Sequence, residues 1–95
     1  MNQDWEDRAS AAWATFDDYP EERADEFRAV IDALAAELPD GSPLGPFERA
    51  CAWDSTGHSD KAVPLYEEAL ARGLSEASQY KGRRAKIQLS SSLRN

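Results

Sequence analysis

The chain has 95 residues, of which 41% are hydrophobic and 31% are charged, and its net charge is −7. That length suits one domain with a modest core and argues against two separate cores. Ala, Leu, Glu and Arg are frequent, whereas Gly and Pro number five each, so the composition predicts an all-α protein.

The single cysteine, Cys51, excludes an internal disulfide, and no Cys/His cluster has the spacing of metal ligands. The longest apolar runs are only a few residues, and no basic segment precedes an apolar stretch near the N-terminus. We therefore expect no membrane span, no signal peptide, no metal and no cofactor, and we expect the protein to reside in the cytoplasm.

The charges are unevenly distributed along the chain. Residues 1–71 carry 5 basic and 17 acidic side chains, a net charge of −12, whereas residues 72–95 carry 6 basic and 1 acidic, a net charge of +5. The acidic part would repel nucleic acid and anionic lipid. The basic end can pair with the acidic part, either within one chain or between two chains.

Two amphipathic helices are predicted in the first part of the chain. The first, from about Asp4 to Phe16, has its apolar residues on one stripe at helical spacing. Pro20 then fits the first turn of a second helix, from about Glu21 to Leu38. The two apolar stripes are Trp5, Ala9, Ala12, Trp13 and Phe16 in the first helix, and Phe27, Ile31, Leu34, Ala35 and Leu38 in the second.

A Pro- and Gly-rich segment at 39–43 separates these helices from a third, which is predicted from about Leu44 or Pro46 to Ser55. Ser59 is the expected N-cap of a fourth helix that continues to about Arg72. Pro64 is expected to kink this helix or to shift its start toward Pro64, because proline lacks a backbone N–H.

The end of the fourth helix and the residues after it complete the predicted order. Gly73 is expected in the left-handed position that follows a helix, with Leu74 as its apolar contact. Ser75 to Lys81 is predicted to be a polar linker. A fifth helix from about Arg83 to Leu93 then follows.

An internal repeat relates the second and fourth helices. Their apolar positions match at an offset of 35 residues, as from Phe27 to Ala62 and from Ile31 to Tyr66. The match is in spacing more than in identity, so the first copy is degenerate. Self-similarity at such a period indicates a stack of helical hairpins.

The segment from Pro46 to Leu74 resembles the tetratricopeptide repeat, a pair of antiparallel helices of about 34 residues. Gly57 occupies the position at which the family has a glycine in the turn between the two helices, whereas Arg49 and Leu74 depart from the family pattern. Together with Ile87 to Asn95, the chain is similar to the bacterial group 5 of these repeats. The matching small and aromatic positions are Ala50, Trp53, Ala62, Tyr66 and Ala69.

The resemblance implies a single domain at 1–95, an all-α, right-handed solenoid of about five helices that binds a protein or peptide and is not an enzyme. Its parts are a degenerate hairpin at 1–39, a complete repeat at 43–74 and the first helix of an interrupted repeat at 79–95. The first helices of such repeats line the concave face. This implicates Phe47, Cys51, Asp54, Ser55, Arg84, Gln88, Ser91 and Arg94 in partner binding.

The last helix is expected to expose apolar residues, because an interrupted repeat leaves its stripe uncovered. We therefore predict a homodimer in which the basic end meets the acidic residues at 17–26 of a second copy. The alternative is that the basic face folds onto the acidic face of its own chain. The predicted interface consists of Ile87, Leu89, Leu93, Arg83 and Lys86.

The sequence leaves open more than one role for Asp54, Cys51 and the basic segment 81–86. Asp54 lies on an apolar helix face, where a carboxylate needs a partner. The candidates are the turn at His58 and Ser59, which could donate hydrogen bonds to it, an arginine of the fifth helix, or a ligand. Cys51 is a small buried hydrophobe or a reactive thiol. His58 has no partner for catalysis. The basic segment 81–86 is an alternative nucleic-acid contact, although the surrounding acidity argues against it.

Overall fold

A computed structural model describes residues 3–94, with backbone alone at 3, 79–80 and 89–94. The described residues form six α-helices, with two 3₁₀ turns at Phe16–Asp18 and Glu21–Arg23 and no strand among them. The all-α prediction is therefore confirmed. The helices are α1 (Gln3–Ala14), α2 (Ala24–Ala36), α3 (Leu44–Ser55), α4 (Ser59–Ala71), α5 (Leu74–Ala77) and α6 (Gln79–Arg94).

The helices pack mainly against their neighbours in the sequence. α1 lies against α2, α2 against α3, and α3 against α4, which makes the most extensive pairing. α6 packs on α4 and on the short α5. Nearest-neighbour stacking of helical hairpins is the architecture of a repeat protein.

The larger core lies between α3, α4 and α6. Tyr66 is almost completely buried there and packs near Phe47, with 6.3 Å between ring centroids. Ala50, Ala62, Ala69 and Ala85 are fully buried around them. Because these side chains are small, the three helices approach one another closely and leave room for the tyrosine ring.

A second core joins α1 and α2 to α3 and is aromatic. Phe27 is fully buried and makes edge-to-face contacts with the Trp13 and Phe16 rings, each with its centroid 5.0 Å away. Tyr19 adds a similar contact at 5.5 Å. Such edge-to-face pairs contribute about 0.5–1.5 kcal/mol each beyond the area they bury.

Polar contacts fasten α1 to the end of α2. The Trp5 indole donates a hydrogen bond to the carbonyl of Leu34 at 2.9 Å. Arg8 donates to both oxygens of Glu37, at 2.6 and 2.8 Å, and also pairs with Asp4. The hydrogen bond from Arg8 lowers the pKa of the Glu37 carboxyl below its usual value.

Two aligned positions of the predicted repeat are buried in both copies. Phe27 and Ile31 of α2 are buried, as are Ala62 and Tyr66 at the equivalent positions of α4.

The end of α4 is as predicted. Gly73 has a φ of 93°, so it occupies the predicted left-handed position, and Leu74, the next residue, is fully buried.

The N-cap prediction for α4 is wrong, and one of the two alternatives for Pro64, a shifted helix start, is excluded. His58, not Ser59, is the N-cap residue, and its side chain makes no capping hydrogen bond. The helix does not start near Pro64 either, since Lys61 and Ala62 already donate to the carbonyl of His58, at 3.0 and 3.2 Å. These bonds close the first turn before the proline is reached.

The predicted linker from Ser75 to Lys81 is also wrong, as is the start of the last helix at Arg83. α5 covers residues 75–77 of the linker, and α6 begins at Gln79 and covers the last three. Ser78 explains this start, because its backbone is extended and its hydroxyl accepts a hydrogen bond from the Lys81 N–H at 3.2 Å. That geometry is an N-cap, which satisfies a free donor of the first helical turn.

Candidate functional site

The first helices of successive hairpins enclose a groove of about 410 Å³, here called the inner groove. α1 forms one wall, α3 forms the floor, and α6 forms the other wall. The lining residues are Glu6, Ala9, Ser10 and Trp13 from α1, Phe47, Glu48 and Cys51 from α3, and Lys81 and Arg84 from α6.

Two of the three floor residues of the inner groove are apolar and buried. Phe47 is 3% exposed and Cys51 is 5% exposed, so each presents only an edge to the groove. Burial raises the pKa of the Cys51 thiol to about 11, and nearby Glu48 adds to the shift while Arg84 opposes it. A neutral, buried thiol behaves as a small hydrophobe rather than as a nucleophile.

A polar network crosses the groove and joins its three helices. Glu48 is buried and accepts a hydrogen bond from the Trp13 indole at 2.8 Å. The Lys81 ammonium lies 3.4 Å from Glu6 and 4.0 Å from Glu48. It also lies 5.8 Å from the centre of the Phe47 ring. Glu48 therefore has both a donor and a cation, as a buried carboxylate requires.

The structure brings three of the predicted concave-face residues together. Phe47, Cys51 and Arg84 line the inner groove. Asp54 does not line it, and Ser55 faces a different cleft. Gln88 is half-buried on α6 outside the lining. The side chains of Ser91 and Arg94 lie outside the described residues.

The polar groups of the groove were missed by sequence reasoning. Glu6, Ser10, Trp13, Glu48 and Lys81 all line it. One signal was available, because the 35-residue offset of the repeat also relates Trp13 to Glu48. The same offset, when it is used to align α1 with α3, puts Trp13 and Glu48 at equivalent positions on the face that lines the groove.

Asp54 is tied into the fold by two hydroxyl groups. Ser59 donates to one carboxylate oxygen at 3.4 Å, as predicted, and Tyr66 donates to the other at 3.3 Å. Burial raises the pKa of the Tyr66 phenol, and the neighbouring Cys51 and Asp54 raise it further. The side chain of His58 instead packs edge-on against Trp53, with 5.4 Å between centroids.

The predicted interface residues lie on the side of α6 away from the groove. Ile87 is 58% exposed, and Arg83 and Lys86 are exposed beside it. We call these three residues the outer face of α6. The side chains of Leu89 and Leu93, which complete the predicted interface, lie outside the described residues.

The described part of the chain also bears on metal binding and on membrane insertion. No group of three or more His, Cys, Asp or Glu residues there is arranged to hold a metal ion. None of the helices traced in residues 3–94 combines the length and the apolar character needed to cross a membrane.

A sequence model of the tetratrico peptide repeat family, group 5, matches residues 43–95, which is more than half of the chain. This chain belongs to the tetratricopeptide repeat family. The match covers α3 to α6 and therefore includes the floor and one wall of the inner groove. No significant match was found to a curated protein or to a solved structure.

Tetratricopeptide repeats generally act as non-catalytic modules that bind other proteins. Membership therefore indicates a role in protein–protein interaction. The resemblance of residues 46–74 to this family is confirmed, and the match extends through α6.

Proposed function

We propose that this tetratricopeptide repeat domain is a non-catalytic scaffold that forms a homodimer through the outer face of α6. The observation that carries the proposal is the exposure of Ile87. Two large hydrophobic residues are exposed in the described chain, and Ile87 is the more exposed of them. Fully burying such a side chain contributes about 1.5–3 kcal/mol, so covering it favours association.

The charge of α6 indicates what covers it. Residues 79–94 contain five basic residues and no acidic one, so two α6 helices placed face to face would repel each other. The complementary surface is acidic and lies between α1 and α2. Its exposed carboxylates make no side-chain ion pair among the described residues: Asp17, Asp18, Glu21, Glu22 and Asp25.

Pairing within one chain accounts for only part of the basic end. Lys81 meets Glu6 and Glu48 of its own chain. Arg83 and Lys86 are exposed and form no ion pair with the described residues. These two cations are therefore available to a second copy.

The inner groove is the second proposed surface of the scaffold, and a peptide is its proposed occupant. Arg84 is exposed at the edge of the groove, while the edges of Phe47 and Cys51 form its apolar floor. Because the outer face of α6 lies on the other side of the helix, self-association leaves this groove open.

Nucleic-acid binding by residues 81–86 has less support. Lys81 is held between two carboxylates, so the basic segment does not present one continuous face to phosphate. Binding to DNA or RNA that disappears between low and moderate salt would be non-specific. A cytoplasmic location remains a prediction from the composition.

Light scattering coupled to size exclusion tests the homodimer. The wild-type chain is expected to reach twice the chain mass as its concentration rises, and Ile87→Ser is expected to shift it to the monomer. Val30→Ser is the matched control, because Val30 is the other exposed large hydrophobic residue, at 38%, and lies on α2. A wild-type chain that stays monomeric at every concentration would contradict the proposal.

A further inference from the structure

A second cleft, of about 340 Å³, lies where the connection between α1 and α2 meets the turn between α3 and α4. We call it the aromatic cleft. It is separate from the inner groove and shares no lining residue with it. Its walls are Phe16, Tyr19, Pro20, Glu21, Ala24 and Phe27, and the turn at 55–57 closes one end.

The aromatic cleft is preformed by the packing around it. Phe27 forms its base and is held edge-on by Phe16 and Tyr19. Arg28 donates a hydrogen bond to the hydroxyl of Thr56 at 2.7 Å, which fixes α2 to the turn that closes the cleft. A site that needs no rearrangement loses little of its binding free energy to ordering.

The rim of the aromatic cleft is negatively charged. Asp17, Asp18 and Glu21 are exposed at or beside it and make no ion pair among the described residues. Of the neighbouring cations, Arg23 is paired with Glu26 at 2.9 Å, and Arg28 lies over the ring of Trp53. The cleft therefore suits an occupant that offers an apolar side chain flanked by positive charges.

The outer face of α6 has this composition. Ile87 is 58% exposed, Arg83 lies one helical turn before it, and Lys86 precedes it directly. We infer that Ile87 of one copy enters the aromatic cleft of a second copy, with Arg83 and Lys86 against the acidic rim. The inference rests on the proposed self-association and names the surface that receives α6.

A closed dimer requires two such contacts, related by a two-fold axis. Each chain carries one α6 and one aromatic cleft, so a reciprocal exchange buries both apolar side chains and pairs both charged rims. Reciprocal contacts of this kind are related by a two-fold axis and close a dimer.

Three variants test the inference by the dimer dissociation constant in analytical ultracentrifugation. Ala24→Leu fills the cleft and is expected to weaken the dimer by roughly tenfold or more, which corresponds to about 1.4 kcal/mol. Ala33→Leu is the matched control, because Ala33 is an exposed alanine of the same helix outside the cleft. Glu21→Lys is expected to weaken the dimer without altering the core, and adding Arg83→Glu is expected to restore part of the loss.

Mixing gives a second readout. An Ile87→Ser chain keeps an intact cleft, and an Ala24→Leu chain keeps an intact α6, so an equimolar mixture is expected to form heterodimers with one working contact. Circular dichroism of each variant shows whether it is folded.

The outcomes separate the two proposals. A monomeric wild-type chain would overturn the homodimer and the cleft together. A wild-type dimer whose dissociation constant is unchanged by both Ala24→Leu and Glu21→Lys would overturn the cleft alone.

Discussion

Gly82→Ala is expected to destabilise this protein, although glycine to alanine usually stabilises a helix. Gly82 is buried in α6 where that helix crosses α5. A Cβ added there would lie 2.7 Å from the Cα of Ser75 and 2.9 Å from its Cβ. Because one of these atoms belongs to the backbone, the two helices must move apart.

The two effects have comparable magnitudes and opposite signs. Overpacking a close contact costs about 1–3 kcal/mol. Alanine is a better helix former than glycine, which returns about 0.5–1 kcal/mol. The difference is a loss of up to about 2.5 kcal/mol, and each kcal/mol lowers the melting temperature of a domain this size by about 4–8 °C.

Urea and thermal unfolding followed by circular dichroism measure the effect. A double-mutant cycle with Ser75→Gly serves as the control, because it removes the Ser75 side chain from the clash. The double variant is expected to lose less free energy of unfolding than the two single variants lose in sum. A rise in melting temperature for Gly82→Ala alone would refute the close approach of α5 and α6.

Three further predictions concern the groove and the core. Glu48→Ala is expected to cost about 1–3 kcal/mol in urea unfolding, because it leaves the Trp13 indole without its acceptor, whereas Glu48→Gln keeps an acceptor and costs less. Tyr66→Phe removes a hydrogen bond to Asp54 and is expected to cost about 0.5–1.5 kcal/mol. Between pH 9 and 11 the free energy of unfolding is expected to fall, because the unfolded Cys51 thiol ionises near its ordinary pKa of 9.0 while the folded thiol has a pKa of about 11. Cys51→Ala should reduce this slope, and an unchanged slope would contradict the assignment.

The helices were predictable because the pattern that defines them is local. Apolar stripes at helical spacing and a Pro- and Gly-rich break gave α2, α3 and α4 to within a few residues. The start of α6 was missed because Ser78 was included in a polar linker, although a serine is a common N-cap. Its capping role depends on an extended backbone that the sequence does not specify.

The groove was only partly predictable because its polar network joins distant parts of the chain. Family resemblance located Phe47, Cys51 and Arg84. The contact between Lys81 and Glu6 links residues 75 positions apart, and no local pattern relates them. The degenerate first hairpin also hid the contribution of α1, which supplies Trp13 and one wall of the groove.

The solution mass of the wild-type chain at low and high salt tests the central claim most directly. Sedimentation equilibrium is expected to give twice the chain mass at low salt. Added salt should shift the chain toward the monomer, because the interface pairs exposed basic and acidic residues whose attraction is screened. A chain that remains monomeric at every concentration and salt condition would contradict self-association through α6.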